Sequence, residues 1–70
     1  MSDDIWQYAI LRFMSGGRIW WIVGGSEEQW PRSNIGELLD RAGADGWELG
    51  AVHQYRAGDE DFFFKRRKRY

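Results

Sequence analysis

Two runs of hydrophobic residues open the chain, and both have the character of β-strands. Residues 5–13 are rich in aromatic and β-branched side chains and contain no helix breaker. Residues 15–17 (Ser-Gly-Gly) follow as a turn that tolerates positive φ, and residues 18–23 form a second apolar run closed by two glycines. The pattern predicts two strands that pair antiparallel.

The polar residues 26–31 interrupt this pattern before the next periodic segment. They end at Pro31, which biases Trp30 toward an extended conformation. We expect a loop here.

A helix is predicted from the residue that follows Asn34. The Asn34 side chain can cap the first turn, with Glu37 as its capping-box partner. Four residues then share the helical spacing of one apolar stripe: Ile35, Leu38, Leu39 and Ala42. Gly46 suits the left-handed position after the helix, which lets Trp47 pack back on Ala42.

The last third of the chain returns to strand patterns. Residues 47–55 alternate, with one face formed by Trp47, Leu49, Ala51, His53 and Tyr55. A turn at 57–59 leads to a final strand at 62–65. We predict one α+β domain over residues 1–70, with order ββαββ: a small, twisted, mainly antiparallel four-stranded sheet with one helix on one face. Residues 65–70 are assigned to a basic C-terminal tail.

Size and composition favour self-association inside a cell. A 70-residue chain buries only about 60% of its unfolded surface, and this one has no cysteine and one histidine. The absence of cysteine indicates a reducing compartment, by default the cytoplasm. The acidic start and the lack of a long apolar run argue against secretion and membrane insertion. We therefore expect a homo-oligomer, a dimer or higher.

Charge is distributed unevenly along the chain. The net charge is −1, yet half of the ten basic residues lie in residues 65–69, and all eleven acidic residues precede them. The basic run could bind phosphates, with Tyr70 or Trp20 stacking on bases. Because the acidic body would repel nucleic acid, this ranks third among the functions considered.

Aromatic residues make up 17% of the chain and occupy both faces of the first two strands. In the second strand, Trp21 and Trp20 point to opposite faces. One helix covers one face only, so the other must meet a partner subunit or a ligand. The pattern leaves open which face the helix covers.

Residues 35–52 (IGELLDRAGADGWELGAV) and the later Phe64-Lys65-Arg66 resemble a small bacterial and phage family, domain of unknown function 4177. The matching motif is Leu-x-x-x-Gly-x-x-Gly-Trp-Glu-Leu, formed here by Leu39, Gly43, Gly46, Trp47, Glu48 and Leu49. The segment from Arg18 to Trp30 departs from the family pattern. The resemblance implies this fold and a bacterial or phage origin, and it implies no activity.

Catalytic and metal-binding patterns are weak. His53 is the only histidine, and a triad would need a serine from a turn, such as Ser15, Ser26 or Ser33. The acidic residues 59–61 are interpreted as a solvated turn and not as metal ligands. We expect no catalytic residue, no metal site and no cofactor.

The pattern predicts a non-catalytic, homo-oligomeric binding module that holds a small, planar, anionic, nucleotide-like ligand at a subunit interface. Its predicted ligand-binding residues supply stacking rings and bidentate donors: Trp20, Trp21, Trp30, Arg18, Arg56 and Arg66. The first alternative is a protein-interaction adaptor with an exposed aromatic face.

Overall fold

A computed structural model describes residues 5–68, which form one five-stranded sheet and one helix. The elements in chain order are β1 (Ile5–Met14), β2 (Arg18–Val23), β3 (Ser26–Trp30), α1 (Ile35–Ala44), β4 (Glu48–Arg56) and β5 (Asp59–Lys68). The strands are ordered β3-β2-β1-β5-β4, and each neighbouring pair is antiparallel. The α+β class with a single helix is confirmed. The prediction of four strands is wrong, because the order is βββαββ.

The additional strand is β3, which the sequence pattern assigned to a loop. Gly24 and Gly25, at φ values of 54° and 86°, form a tight hairpin turn that pairs Val23 with Ser26. Pro31 follows the last residue of β3, so its effect on Trp30 favours the strand. The first four residues of β3 are exposed at the edge of the sheet, which explains their polar character.

Both ends of α1 follow the predicted capping patterns. At the start, the Asn34 side chain accepts a hydrogen bond of 2.9 Å from the Glu37 backbone N–H. At the end, the Trp47 N–H donates to the Ala42 carbonyl and the Gly46 N–H donates to the Gly43 carbonyl, the two bonds of a Schellman motif. Gly46 has a φ of 86°. The helix is too short and too polar to cross a membrane, and no other helix lies within residues 5–68.

We expect Gly46→Ala and Gly43→Ala to have opposite effects on the free energy of unfolding. A Cβ at either glycine would meet no atom within 4 Å, so only backbone conformation matters. Gly46→Ala should lower stability by about 1 kcal/mol, because alanine is strained at positive φ. Gly43→Ala, inside the helix, should raise it by about 0.5–1 kcal/mol. Urea unfolding of both variants measures the difference, and equal effects would contradict the assigned helix end.

The hydrophobic core lies between the helix and one face of the sheet. Its buried members are Ala9, Leu11, Ile19, Trp30, Leu38, Ala42, Trp47, Phe62 and Phe64. Trp21 packs against this core, so the helix covers the face of Trp21. Trp20 lies on the opposite face, which we call the open face. The open face also carries Trp6 and Tyr8, which are 39% and 66% exposed.

Strand β4 differs from the predicted regular alternation. Leu49 pairs with Phe64, whereas Ala51 pairs with Phe63, because a bulge at Gly50 shifts the register. Leu49 therefore lies on the helix side and Ala51 on the open face. All nine residues of β4 are exposed.

The basic run assigned to a tail belongs in large part to the sheet. Residues 65–68 are the last four residues of β5, and they pair with β1 from Tyr8 to Ile5. The predicted tail residues Arg69 and Tyr70 lie outside the described residues.

Candidate ligand-binding cleft

A cleft lies at the end of the sheet where β1 begins and β5 ends. Its volume is about 730 Å³. The lining residues come from β1, the end of α1, the start of β4 and β5: Trp6, Gln7, Asp45, Gly46, Glu48, Arg66, Arg67 and Lys68. We call it the Trp6 cleft. A volume of this size is typical of small-molecule sites.

Two cationic side chains of the neighbouring strand lie close to the Trp6 ring. Lys65 Nζ lies 4.7 Å from the centre of the indole ring, and Arg67 Cζ lies 5.6 Å from it. The alternation of β5 directs both cations to the open face, on which Trp6 also lies. The cleft thus offers an aromatic surface next to positive charge.

Arg66, one of the predicted ligand-binding residues, contributes to the wall of this cleft through contacts within the chain. Its Nε donates to the Gln7 side chain at 2.9 Å, and its Nη1 donates to the Asp45 carbonyl at 2.7 Å. Arg66 also forms an ion pair with Asp45 and lies 4.2 Å above the ring of Trp47. These contacts tie β5 to the end of α1 and fix the shape of the cleft.

Three tryptophans form a cluster beneath the helix. Trp21 stacks on Trp30 with ring centres 4.7 Å apart, and the rings of Trp21 and Trp47 form an edge-to-face contact with centres 5.5 Å apart. Arg41 covers Trp30 at 4.1 Å. This spacing leaves no room for a ligand between the rings of Trp21 and Trp30. The buried Trp30 Nε1 has no hydrogen-bond partner among residues 5–68.

A buried carboxylate network lies on the open face near the other end of β5. Asp61 is only 1% exposed. Arg12 donates to its two oxygens from Nε at 2.9 Å and from Nη2 at 3.0 Å, and the Tyr55 hydroxyl donates to Oδ2 at 2.7 Å. A smaller cavity of about 270 Å³ adjoins these three residues.

The network changes the acid–base properties of its members. Burial acts to raise the pKa of the Asp61 carboxyl, but the hydrogen bonds from Arg12 and Tyr55 outweigh it, so the pKa is lowered. The same hydrogen bonds raise the pKa of Arg12 and the pKa of Tyr55. At neutral pH the carboxylate is therefore ionised and the tyrosine hydroxyl is a donor.

The six predicted ligand-binding residues do not meet in one copy of the chain. Trp21 and Trp30 are in the cluster under the helix, and Trp20 lies half-buried on the open face. Arg18 pairs with Met14, and Arg66 pairs with Gln7, so these two arginines lie about 24 Å apart along β1.

Arg56 ends β4 and forms an exposed ion pair of 3.3 Å with Asp59. Of the six residues, only Arg66 lines the Trp6 cleft.

The residues considered for catalysis are also dispersed. The His53 ring contacts the Tyr55 ring at 4.5 Å, while the Ser33 hydroxyl donates to Glu37 and the Ser15 N–H donates to Asp59. Within residues 5–68, no group of three His, Cys, Asp or Glu side chains could hold a metal ion.

Sequence reasoning missed the roles of Trp6, Lys65 and Arg67. The alternation of residues 5–13 already placed Trp6 on the face of the strand opposite to that of Ala9 and Leu11. The basic run follows the last predicted strand directly. A strand extended through that run would have brought the cations beside the aromatic first strand.

No known protein family, curated protein or solved structure matches this chain. The resemblance to the family of unknown function therefore remains a prediction that rests on its motif.

Proposed function

We propose that this protein is a non-catalytic, homo-oligomeric binding module that holds a small, planar, anionic ligand of nucleotide type in the Trp6 cleft. The observation that carries the proposal is the exposed indole of Trp6 with Lys65 and Arg67 beside it. An indole face binds planar rings, and lysine and arginine bind phosphate groups.

The composition of the cleft supports a ligand with both a ring and an anionic group. When a ring stacks on Trp6, a cation displaced from the indole remains near enough to pair with a phosphate. Glu48 at the rim can accept hydrogen bonds from a ring amino group or a sugar hydroxyl. Asp45 is neutralised by Arg66, so it repels the ligand less than a lone carboxylate would.

The position of the histidine supports binding without catalysis. His53 pairs with Asp61, whereas Glu48 pairs with Lys65 at the cleft. Because of the bulge at Gly50, the two β4 residues are four sheet positions apart, about 13 Å, so the imidazole lies beyond hydrogen-bonding reach of a ligand stacked on Trp6.

We expect Trp6→Ala to weaken binding of ADP by about tenfold or more, because a stacked base contributes about 1–3 kcal/mol. Titration calorimetry of ADP, adenosine and pyrophosphate against the full chain measures this, and ADP should bind more tightly than either fragment. Tyr8→Ala is the matched control, because Tyr8 lies on the same strand and face but outside the cleft. Equal ADP affinity for wild type and Trp6→Ala would contradict the proposal.

A second candidate function is the binding of single-stranded nucleic acid along the open face. Trp6 and Tyr8 are exposed on this face, and they pair with Arg67 and Lys65 respectively. In that case an oligonucleotide, tested at about 0.15 M salt, should lose affinity in both Trp6→Ala and Tyr8→Ala. Loss in Trp6→Ala alone, with ADP competing, favours the small ligand.

A further inference from the structure

Strand β4 is an unprotected edge of the sheet. It is the last strand in the sheet order, and each of its nine residues is exposed. The helix therefore does not bury either face of this strand. Three of its apolar or aromatic side chains are about half exposed: Leu49, Val52 and Tyr55. The strand contains neither lysine nor proline, two of the devices that prevent pairing at an edge, and its two bulges leave residues 51–54 regular.

We propose that a second copy of the chain pairs antiparallel with β4 about a two-fold axis at Val52, which joins the two sheets into one of ten strands. This inference specifies how the homo-oligomer of the proposed function is assembled, and it rests on that self-association. It does not depend on which ligand the Trp6 cleft takes.

The charge pattern of β4 selects this register. The strand begins with Glu48 and ends with Arg56. An axis at Val52 places Glu48 opposite Arg56 of the second copy, and it does so twice. The same axis sets Val52 against itself and, because each bulge takes up one residue, Leu49 against Gln54 of the second copy. A shift of two residues in either direction removes both charge pairs.

The bulges of β4 are compatible with this pairing. They occur between Leu49 and Ala51 and between Gln54 and Arg56, on either side of the proposed axis. The regular segment between them pairs without interruption to β5 and is centred near Val52. The central part of the edge therefore remains straight enough to accept another strand.

The exposed area of the monomer also favours a partner. The accessible surface is 5180 Å², about 13% above the roughly 4,600 Å² typical of a folded monomer of this mass. A stable dimer buries about 800 Å² from each subunit. The nine residues of β4, shortened by its two bulges, extend about 20 Å along this edge.

The second copy would complete the Trp6 cleft. Glu48 lines the rim of that cleft, so the proposed register brings Arg56 of the second copy to the same rim. Arg56 is 81% exposed. It would add a cation from across the subunit junction, where the sequence pattern placed the ligand.

The absence of native cysteine allows a direct test by crosslinking. Val52→Cys should form a covalent dimer under mild oxidation, because directly opposed residues have Cα atoms about 4.5–5.5 Å apart, within the range of a disulfide. Leu49→Cys is the matched control on the same strand, since its two copies would lie about 13 Å apart, beyond the reach of a disulfide. Efficient crosslinking of Leu49→Cys, or none of Val52→Cys, would overturn the register.

Sedimentation of the full chain provides a second test that uses no crosslink. We expect a dimer at micromolar concentration, and Val52→Asp should raise the dissociation constant by about 100-fold or more, since pairing would bury two like charges directly opposite each other. Ile35→Asp, at an exposed helical residue, should change it less than threefold. A monomeric wild type at about 100 µM, or a dimer lost in Tyr8→Asp but kept in Val52→Asp, would overturn the proposal. ADP titration of the same samples reports separately on the ligand.

Discussion

Trp47→Ala should lower the free energy of unfolding by about 3–5 kcal/mol, which removes most of the stability expected of a domain of this size. Trp47 is 6% exposed, and its ring forms an edge-to-face contact with the ring of Trp21. It also lies under Arg66, which holds the end of α1 to β5. Truncation therefore leaves a cavity and frees a cation from its aromatic surface. Urea unfolding followed by tryptophan fluorescence measures the loss.

Two variants separate this effect from the removal of any tryptophan. Trp6→Ala deletes an indole that is 39% exposed, and it should cost less than about 1.5 kcal/mol. Trp47→Phe keeps part of the packed volume and should fall between Trp47→Ala and wild type. A Trp47→Ala protein as stable as Trp6→Ala would show that the helix end does not depend on this ring.

The helix was predictable because its signals are local. Asn34 and Gly46 act through backbone hydrogen bonds within a few residues, so spacing alone locates the cap and the stop. The apolar stripe was less exact. Leu38 and Ala42 are buried as predicted, but Ile35, in the first turn, is 41% exposed.

Strand β3 could not be recognised from hydrophobicity. It is an edge strand whose outer residues face solvent, and only Trp30 contacts the core. Its pairing with β2 is imposed by the glycine turn and by Trp30 stacking on Trp21, a contact made across strands. Such a contact has no signature within a short window of sequence.

The candidate site escaped prediction for a related reason. Sequence alternation separates the two faces of a strand, but it does not say which face the helix covers. Trp21 and Trp30 were predicted to stack on a ligand, and the structure stacks them on each other. Trp6 gained its cations from β5, which is paired with β1 only after the chain has folded.

Asp61 shows the same limit for a charged residue. In sequence it belongs to an acidic run that is typical of a turn, yet its side chain is buried in the sheet. One of its partners, Tyr55, is near in sequence, but the other, Arg12, is distant. Only the register of β1 with β5, which pairs Arg12 with Asp61, brings the opposite charges together.

We expect Asp61→Asn to lower the free energy of unfolding by about 2–3 kcal/mol. Breaking a fully buried ion pair costs about 3–5 kcal/mol, and the 41% exposure of the Arg12 side chain reduces this figure. The amide also places a donor where Arg12 and Tyr55 already donate, so one hydrogen bond is replaced by a repulsive contact. Urea unfolding at pH 7 and at a fixed protein concentration measures the change, since self-association also contributes to stability.

Asp45→Asn is the matched control, because the side chain of Asp45 is 76% exposed in its ion pair with Arg66. It should cost less than about 1 kcal/mol. The pH dependence gives a further check. The pKa of Asp61 is lower in the folded state than in the unfolded chain, so its contribution is present above about pH 4 and is lost as the pH falls through the folded value. The stability difference between wild type and Asp61→Asn should therefore be constant from about pH 5 to 7 and shrink in more acidic solution. A difference that persists unchanged at about pH 2 would mean that the carboxylate charge does not stabilise the fold, and that Asn disrupts the site by its shape alone.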